Sequence, residues 1–213
     1  MITTELHPTT KRIEEIVLKD GKVTFPSWYD PKKGLRAGRV FELHCFFDVK
    51  PGHAEQLKQA CRDHPTNTRK ATDKVKDIGE GIDQIGIHDN SATLFDNDTR
   101  FLFTTTFDTE WDPYIEDVAK LLGGFSYYNM FQHCVGVPEG LDGHNLSVDY
   151  VKALFNAARE TAVMYTRSYP NTVAEIRRAL KLQEVFQQVL DHPDAAKALE
   201  HPALAPLLEM AAD

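Results

Sequence analysis

The segment from Gln84 to Phe107 constrains this chain more than any other. Two β-rich runs, 84–95 and 100–107, are separated by little more than Asp96-Asn97-Asp98, residues suited to tight turns. So short a connection makes the two runs an antiparallel hairpin. A lone hairpin is marginal in water, so further strands and a covering layer must exist.

The next strand is 39–49, stopped by Pro51-Gly52. It puts Phe41, Leu43, Cys45, Phe47 and Val49 on one face and Glu42, His44, Phe46 and Asp48 on the other. From His53 the pattern turns helical, with Ala54, Leu57 and Cys61 at three- and four-residue spacing. Pro65 interrupts it, and 66–76 reads as a second helical piece before Gly79 and Gly81. After the hairpin, Trp111, Tyr114, Ile115 and Val118 are spaced for a helix whose acidic lead-in suits the macrodipole. Gly123-Gly124 ends it. Residues 125–137 read as a fourth strand, or an aromatic turn and then a strand, ended by Pro138.

The order is βαββαβ, an α+β fold with a ferredoxin-like core. Residues 1–38 read as an N-terminal arm, 39–140 as the core domain, and 141–213 as a C-terminal helical extension. In that extension Ser147 is placed to cap a helix with Val151, Leu154, Phe155, Ala158 and Ala162 on one stripe. Asn171 is placed to cap another, expected to bury Val173, Ile176, Leu180, Val185, Phe186 and Val189.

The formal charge is -8, which argues against a nucleic-acid partner because that binding concentrates Lys and Arg on phosphates. The one basic stretch, 69–76, is interrupted by Asp73 and reads as a solvated helix face. Cys45, Cys61 and Cys134 form no CxxC pair, as fits a reducing compartment. With no apolar leader at the N-terminus and no membrane-length apolar run, the expected location is the cytoplasm.

The run Phe-Asp-Asn-Asp-Thr-Arg-Phe-Leu-Phe-Thr-Thr-Thr-Phe-Asp (95–108), followed by Trp-Asp-Pro-Tyr-Ile (111–115), resembles the dimeric α+β barrel superfamily. It is nearest a bacterial branch related to dye-decolourising-peroxidase-like and antibiotic-biosynthesis-monooxygenase-like proteins. The resemblance covers 41–137, about half the chain. The uncovered sheet face needs a partner, either a second copy in a homodimer or the C-terminal helices folding back, and the resemblance implies a pocket for a small apolar or aromatic molecule. Haem-dependent oxidation is the activity it favours. Cofactor-free monooxygenation or cyclisation, and a non-catalytic binding or oligomerisation module, stay open beside it. No family catalytic motif maps onto these residues one by one.

Among the residues themselves, alternation places His88 with Gly86, Asn90 and Ala92, opposite Ile85, Ile87 and Phe95. His88 then shares a face with His44. A neutral imidazole there suits a haem ligand, a base or a substrate anchor. His133 is a second candidate for holding haem, and Arg100 suits an anion-pairing role. The plainer account of each is structural: hydrogen-bonded histidines, and an arginine paired with Asp96 or Asp98. Asp48 and Glu42 suit acid–base work if buried beside His44. The histidines lack zinc-motif spacing, so no metal ligand set is assigned. Trp111, Tyr114, Phe125, Tyr127, Tyr128 and Phe131 read as core before pocket. Dinucleotide, P-loop, GxSxG and HExxH motifs do not occur.

Overall fold

The computed structural model describes residues 5–19, 22–32, 34–64, 85–121, 125–141 and 146–211. The expected helical piece at 66–76, with its basic stretch, lies outside them. The chain divides into two compact units between Val173 and Ala174.

In the first unit the strand β4 (Val40–Asp48) pairs antiparallel with β6 (Arg100–Phe107), and β6 pairs with β5 (Ile87–Phe95). The hairpin turn holds Asp96, Asn97 and Asp98 all at positive φ, 53°, 54° and 63°, which short polar side chains tolerate best. With β3 (Arg36–Ala37) the sheet order is β3-β4-β6-β5. The architecture is α+β with an antiparallel sheet.

One sheet face carries Phe41, Leu43, Cys45, Phe47, Phe101, Phe103 and Phe107, all buried. Over it lie α2 (Ala54–Asp63), α3 (Trp111–Leu121), α4 (Phe125–Phe131) and α5 (Val148–Ala158). Leu57, Tyr114, Ile115, Val118, Tyr127, Phe131 and Phe155 meet the strand aromatics in one core. The four strand phenylalanines that touch helix rings each do so within 3.6–6.2 Å between centroids. Helix α5 is buried around most of its circumference because it packs on α1 (Pro8–Glu14), α3, β2 (Lys22–Thr24) and β4 at once. β2 pairs with β1 (Val17–Lys19) in a separate ribbon.

The expected fourth strand is corrected. Residues 125–131 are helical, and only Cys134 bridges, antiparallel, to Val49. The place beside β4 is filled piecemeal. β3 pairs with Val40 and Phe41, and β7 (Arg159–Glu160) with His44 and Cys45. Further along, the Thr9 hydroxyl donates to the Phe46 carbonyl at 2.7 Å, and the Val135 N–H to the Asp48 carbonyl at 2.8 Å. Within the expected N-terminal arm, Thr9 and Arg36–Ala37 thus line the edge of β4.

His7 fixes the start of α1: its Nδ1 accepts from the Thr9 N–H, and its own N–H donates to Asp48 at 2.7 Å. Burial lowers its pKa below 6.5, outweighing the attraction of Asp48. The unfolded chain then takes the proton first, so stability present above pH 6.5 is lost as pH falls through that value toward the lower folded pKa. Melting temperature is expected to drop between about pH 7 and pH 5, and His7→Asn, which keeps an N-cap acceptor, to flatten part of that drop. Identical pH slopes in the two proteins would contradict this.

The second unit holds most of α6 (Val173–Leu190), then α7 (Ala195–Leu199), a 3-10 turn at Pro202–Leu204 and α8 (Ala205–Ala211). Helix α6 begins two residues after Asn171, but most of the burial expected of it is not met. Leu180, Val185 and Val189 are 46–53 % exposed, and among the unit's described residues only Ala195 is buried. Amphipathic spacing selects a face and does not encode what packs against it.

Candidate functional site

The side of the sheet away from the helices is where the sequence placed the chemistry. Residues directly opposite each other across a ladder share a face, so Glu42 with Thr106, and His44 with Thr104, stand on this side. Glu42 is 2 % exposed. Its Oε1 accepts from the Leu35 N–H at 3.1 Å and the Ala162 N–H at 3.3 Å. Its Oε2 is buried, takes no hydrogen bond, and lies 3.5 Å from His44 Nδ1. The His44 side chain is 33 % exposed. An accessible imidazole is thus backed by a sequestered carboxylate that two backbone donors hold in place.

His88 reaches this side by a route the alternation does not contain. The ladder slips between Ile87 and Asp89, making His88 the bulge residue. Ile87 stays with the core, and beyond the bulge Asn90, Ala92 and Leu94 face the helices, opposite Thr105, Phe103 and Phe101. The grouping of His88 with Asn90 and Ala92 is therefore corrected. Asn90 donates to the Tyr127 hydroxyl, well inside the core.

The His88 ring is spoken for on both nitrogens. Nε2 lies 2.6 Å from Asp108 Oδ1, and Nδ1 3.1 Å from the Arg167 guanidinium. Its side chain is 5 % exposed. Because arginine only donates, Nδ1 is the acceptor and Nε2–H the donor, a fixed tautomer. Asp108 Oδ2 accepts the Val173 N–H at 2.7 Å. Arg167 also donates to the Thr106 hydroxyl at 3.0 Å and lies 3.9 Å from Asp89. Tyr165 stands beside Arg167, its hydroxyl pKa raised chiefly by burial.

Arg100 belongs to the far end of the face. Its Nε is 3.5 Å from Asp96 and 3.8 Å from Asp48, and a terminal nitrogen reaches the Glu5 carbonyl. His88 sits by the other end of β6, roughly 20 Å away at the rise of a strand. His133 is elsewhere again. It follows α4, with Nδ1 3.2 Å from His53 Nδ1. Burial, then His53 and Lys50, lower its pKa.

His88 has no nitrogen left for iron, and His133 and Arg100 border different regions. Two cavities lined by described residues lie among the helices. A polar cleft of about 360 Å³ runs between α2 and α4, lined by Gln56, Gln59, Asn129, Gln132 and His133 among others. An apolar cavity of about 20 Å³ lies between α3, α4 and α5, room for about one water.

Alternation singles out Glu42 and His44 as candidates but does not point to Asp108 or Arg167. Gly86 was the available signal for Asp108, since a glycine just ahead of a strand marks a special turn. Arg167, in an irregular stretch, carried none.

No family model, curated protein or solved structure matches the chain. Among the described residues no helix is long and apolar enough to cross a membrane.

Proposed function

We propose that this protein is an enzyme that removes a proton from a small apolar or aromatic organic molecule at the open face of its sheet. Its chemistry is that of the cofactor-free monooxygenases and cyclases. The observation that carries this reading is the buried Glu42 carboxylate, with one oxygen free of hydrogen bonds, beside the accessible His44 ring.

Glu42 Oε2 is the natural acceptor for His44 Nδ1–H, which leaves Nε2 with its lone pair to act as base. The present 3.5 Å is the loose spacing such pairs show before substrate arrives. Arg167 supplies the opposite charge. It grips Thr106, next but one to Thr104 across from His44, roughly 7 Å along the strand. A small ring spans that gap, and the negative charge left by deprotonation meets the guanidinium. Asp108 and His88 hold Arg167 in position.

The strand order first-third-second, with helices on one side, agrees with a ferredoxin-like core at three of its four strand positions. Partly exposed Leu102 and exposed Phe95 on the open face suit a second copy closing over it, as the superfamily resemblance implies. Light scattering should return the mass of a dimer.

The test is a panel of phenols, hydroxyquinones and cyclic 1,3-diketones, followed by absorbance and oxygen uptake. The wild type is expected to consume at least one member. His44→Ala should lose about a hundredfold in kcat, Glu42→Gln less, and His133→Ala nothing. Equal turnover in His44→Ala, or a panel the wild type leaves untouched, defeats the proposal.

One observation favours a second reading, an assembly module. Leu182, Val185 and Val189 are exposed on one face of α6. Under it, Val185→Glu lowers the oligomer mass while His44→Ala changes no readout but melting.

A further inference from the structure

The contact between His53 and His133 is unused by the chemistry above. The two side chains come from positions far apart in sequence, yet both are held by backbone. His53 N–H donates to the Lys50 carbonyl at 3.0 Å, and the His53 carbonyl accepts from Leu57 as α2 begins. The His133 carbonyl accepts from Lys50 N–H at 2.9 Å, one residue from the Val49–Cys134 bridge. The rings are tilted by 58° with centroids 5.4 Å apart, so they meet nitrogen to nitrogen and not face to face.

The separation of those nitrogens is the informative number. A metal–imidazole bond of about 2.05 Å puts two ligand nitrogens about 2.9 Å apart at 90° and about 3.3 Å apart at the tetrahedral angle. The Nδ1 atoms stand at 3.2 Å, inside that window. We propose that His53 and His133 form a binding site for a borderline divalent transition-metal ion of the Zn²⁺ or Ni²⁺ kind, bound through both Nδ1 atoms.

The surroundings suit such an ion. The neighbouring cation Lys50 is committed to the Gln132 and Val137 carbonyls and to Glu139, each at 2.8 Å. Glu139 brings a carboxylate near enough for both imidazoles to act on its charge. His133 also lines the polar cleft between α2 and α4, which gives water access. Three His, Cys, Asp or Glu side chains converge on no single point among the described residues. The ion therefore keeps exchangeable water, as an open site does and a structural four-ligand site does not.

Calorimetric titration of the full chain with Zn²⁺ alone tests this. Binding is expected at 1:1, tighter than about 100 μM, and at least about tenfold weaker in His53→Ala and in His133→Ala. His44→Ala and His88→Ala should bind as the wild type does. If either alanine variant melts differently without metal, His53→Gln replaces it. In the wild type, sub-stoichiometric Ni²⁺ should broaden the ring-proton resonances of these two histidines before any other. Absence of 1:1 binding up to about 1 mM Zn²⁺, or undiminished binding in His53→Ala/His133→Ala, overturns the proposal and leaves a shared imidazole hydrogen bond.

Discussion

Phe131→Ala is expected to lower folding stability by about 3–5 kcal/mol. Phe131 is 1 % exposed and is where the short helix α4 meets everything else. Its ring lies 5.0 Å from Phe47, 5.0 Å from Phe155, 5.5 Å from Phe103 and 6.1 Å from Phe101, centroid to centroid. Truncation removes one ring from contact with two strands and α5 together. The neighbours are themselves large rings fixed in tilted and edge-on contacts, so collapse into the gap is poor and the cavity cost is high. Urea unfolding should show a lower midpoint at unchanged slope. Phe131→Leu should lose only about 1–2 kcal/mol. A loss below about 1 kcal/mol for the alanine would mean that α4 does not close the core.

Gly86→Ala is expected to lose about 3 kcal/mol or more, though it adds a single methyl group. Gly86 has φ +77°, and a Cβ there would stand 2.6 Å from Asp108 Oδ2 and 3.0 Å from Asp108 Cβ and Cγ. The left-handed backbone alone costs about 1–2 kcal/mol for alanine. The larger part is the displaced carboxylate. Asp108 holds His88 through Oδ1 and the Val173 N–H through Oδ2, and hydrogen bonds to charged groups are worth about 1.5–3 kcal/mol each. If that is the mechanism, Gly86→Ala and Asp108→Ala will be far from additive, because the second removes the carboxylate that the first collides with most closely. Additive losses would mean that the strain is purely local. In either variant Arg167 loses its brace, so the panel substrates should show a raised KM.

Much of the fold is legible in the residues. The hairpin, the two-faced strand β4, and the starts of α2, α3 and α5 follow from turn chemistry and apolar spacing, because those signals are local. What escapes is set by tertiary context. The run Phe125–Phe131 is rich in β-favouring aromatics, yet its buried Tyr127 and Phe131 stand one helical turn apart and stack at 6.5 Å. Burial on several sides overrides propensity there. The bulge at His88 shifts every residue after it to the opposite face, and nothing in the spacing announces a one-residue slip. The candidate site divides the same way. Glu42 and His44 are two apart on one strand and could be paired by alternation alone. Asp108 and Arg167 come from a strand exit and an irregular segment, joined only by folding.

The outer margin of β4 has a consequence for how the molecule is made. It is closed by residues 9, 36–37, 135 and 159–160, so a chain emerging from the ribosome exposes that margin until most of its length has been synthesised. Such a late-arriving patchwork of long-range pairings folds slowly, and an open strand margin meanwhile invites neighbours. Chains truncated before Arg159 should therefore aggregate, while chains complete through that point remain dispersed.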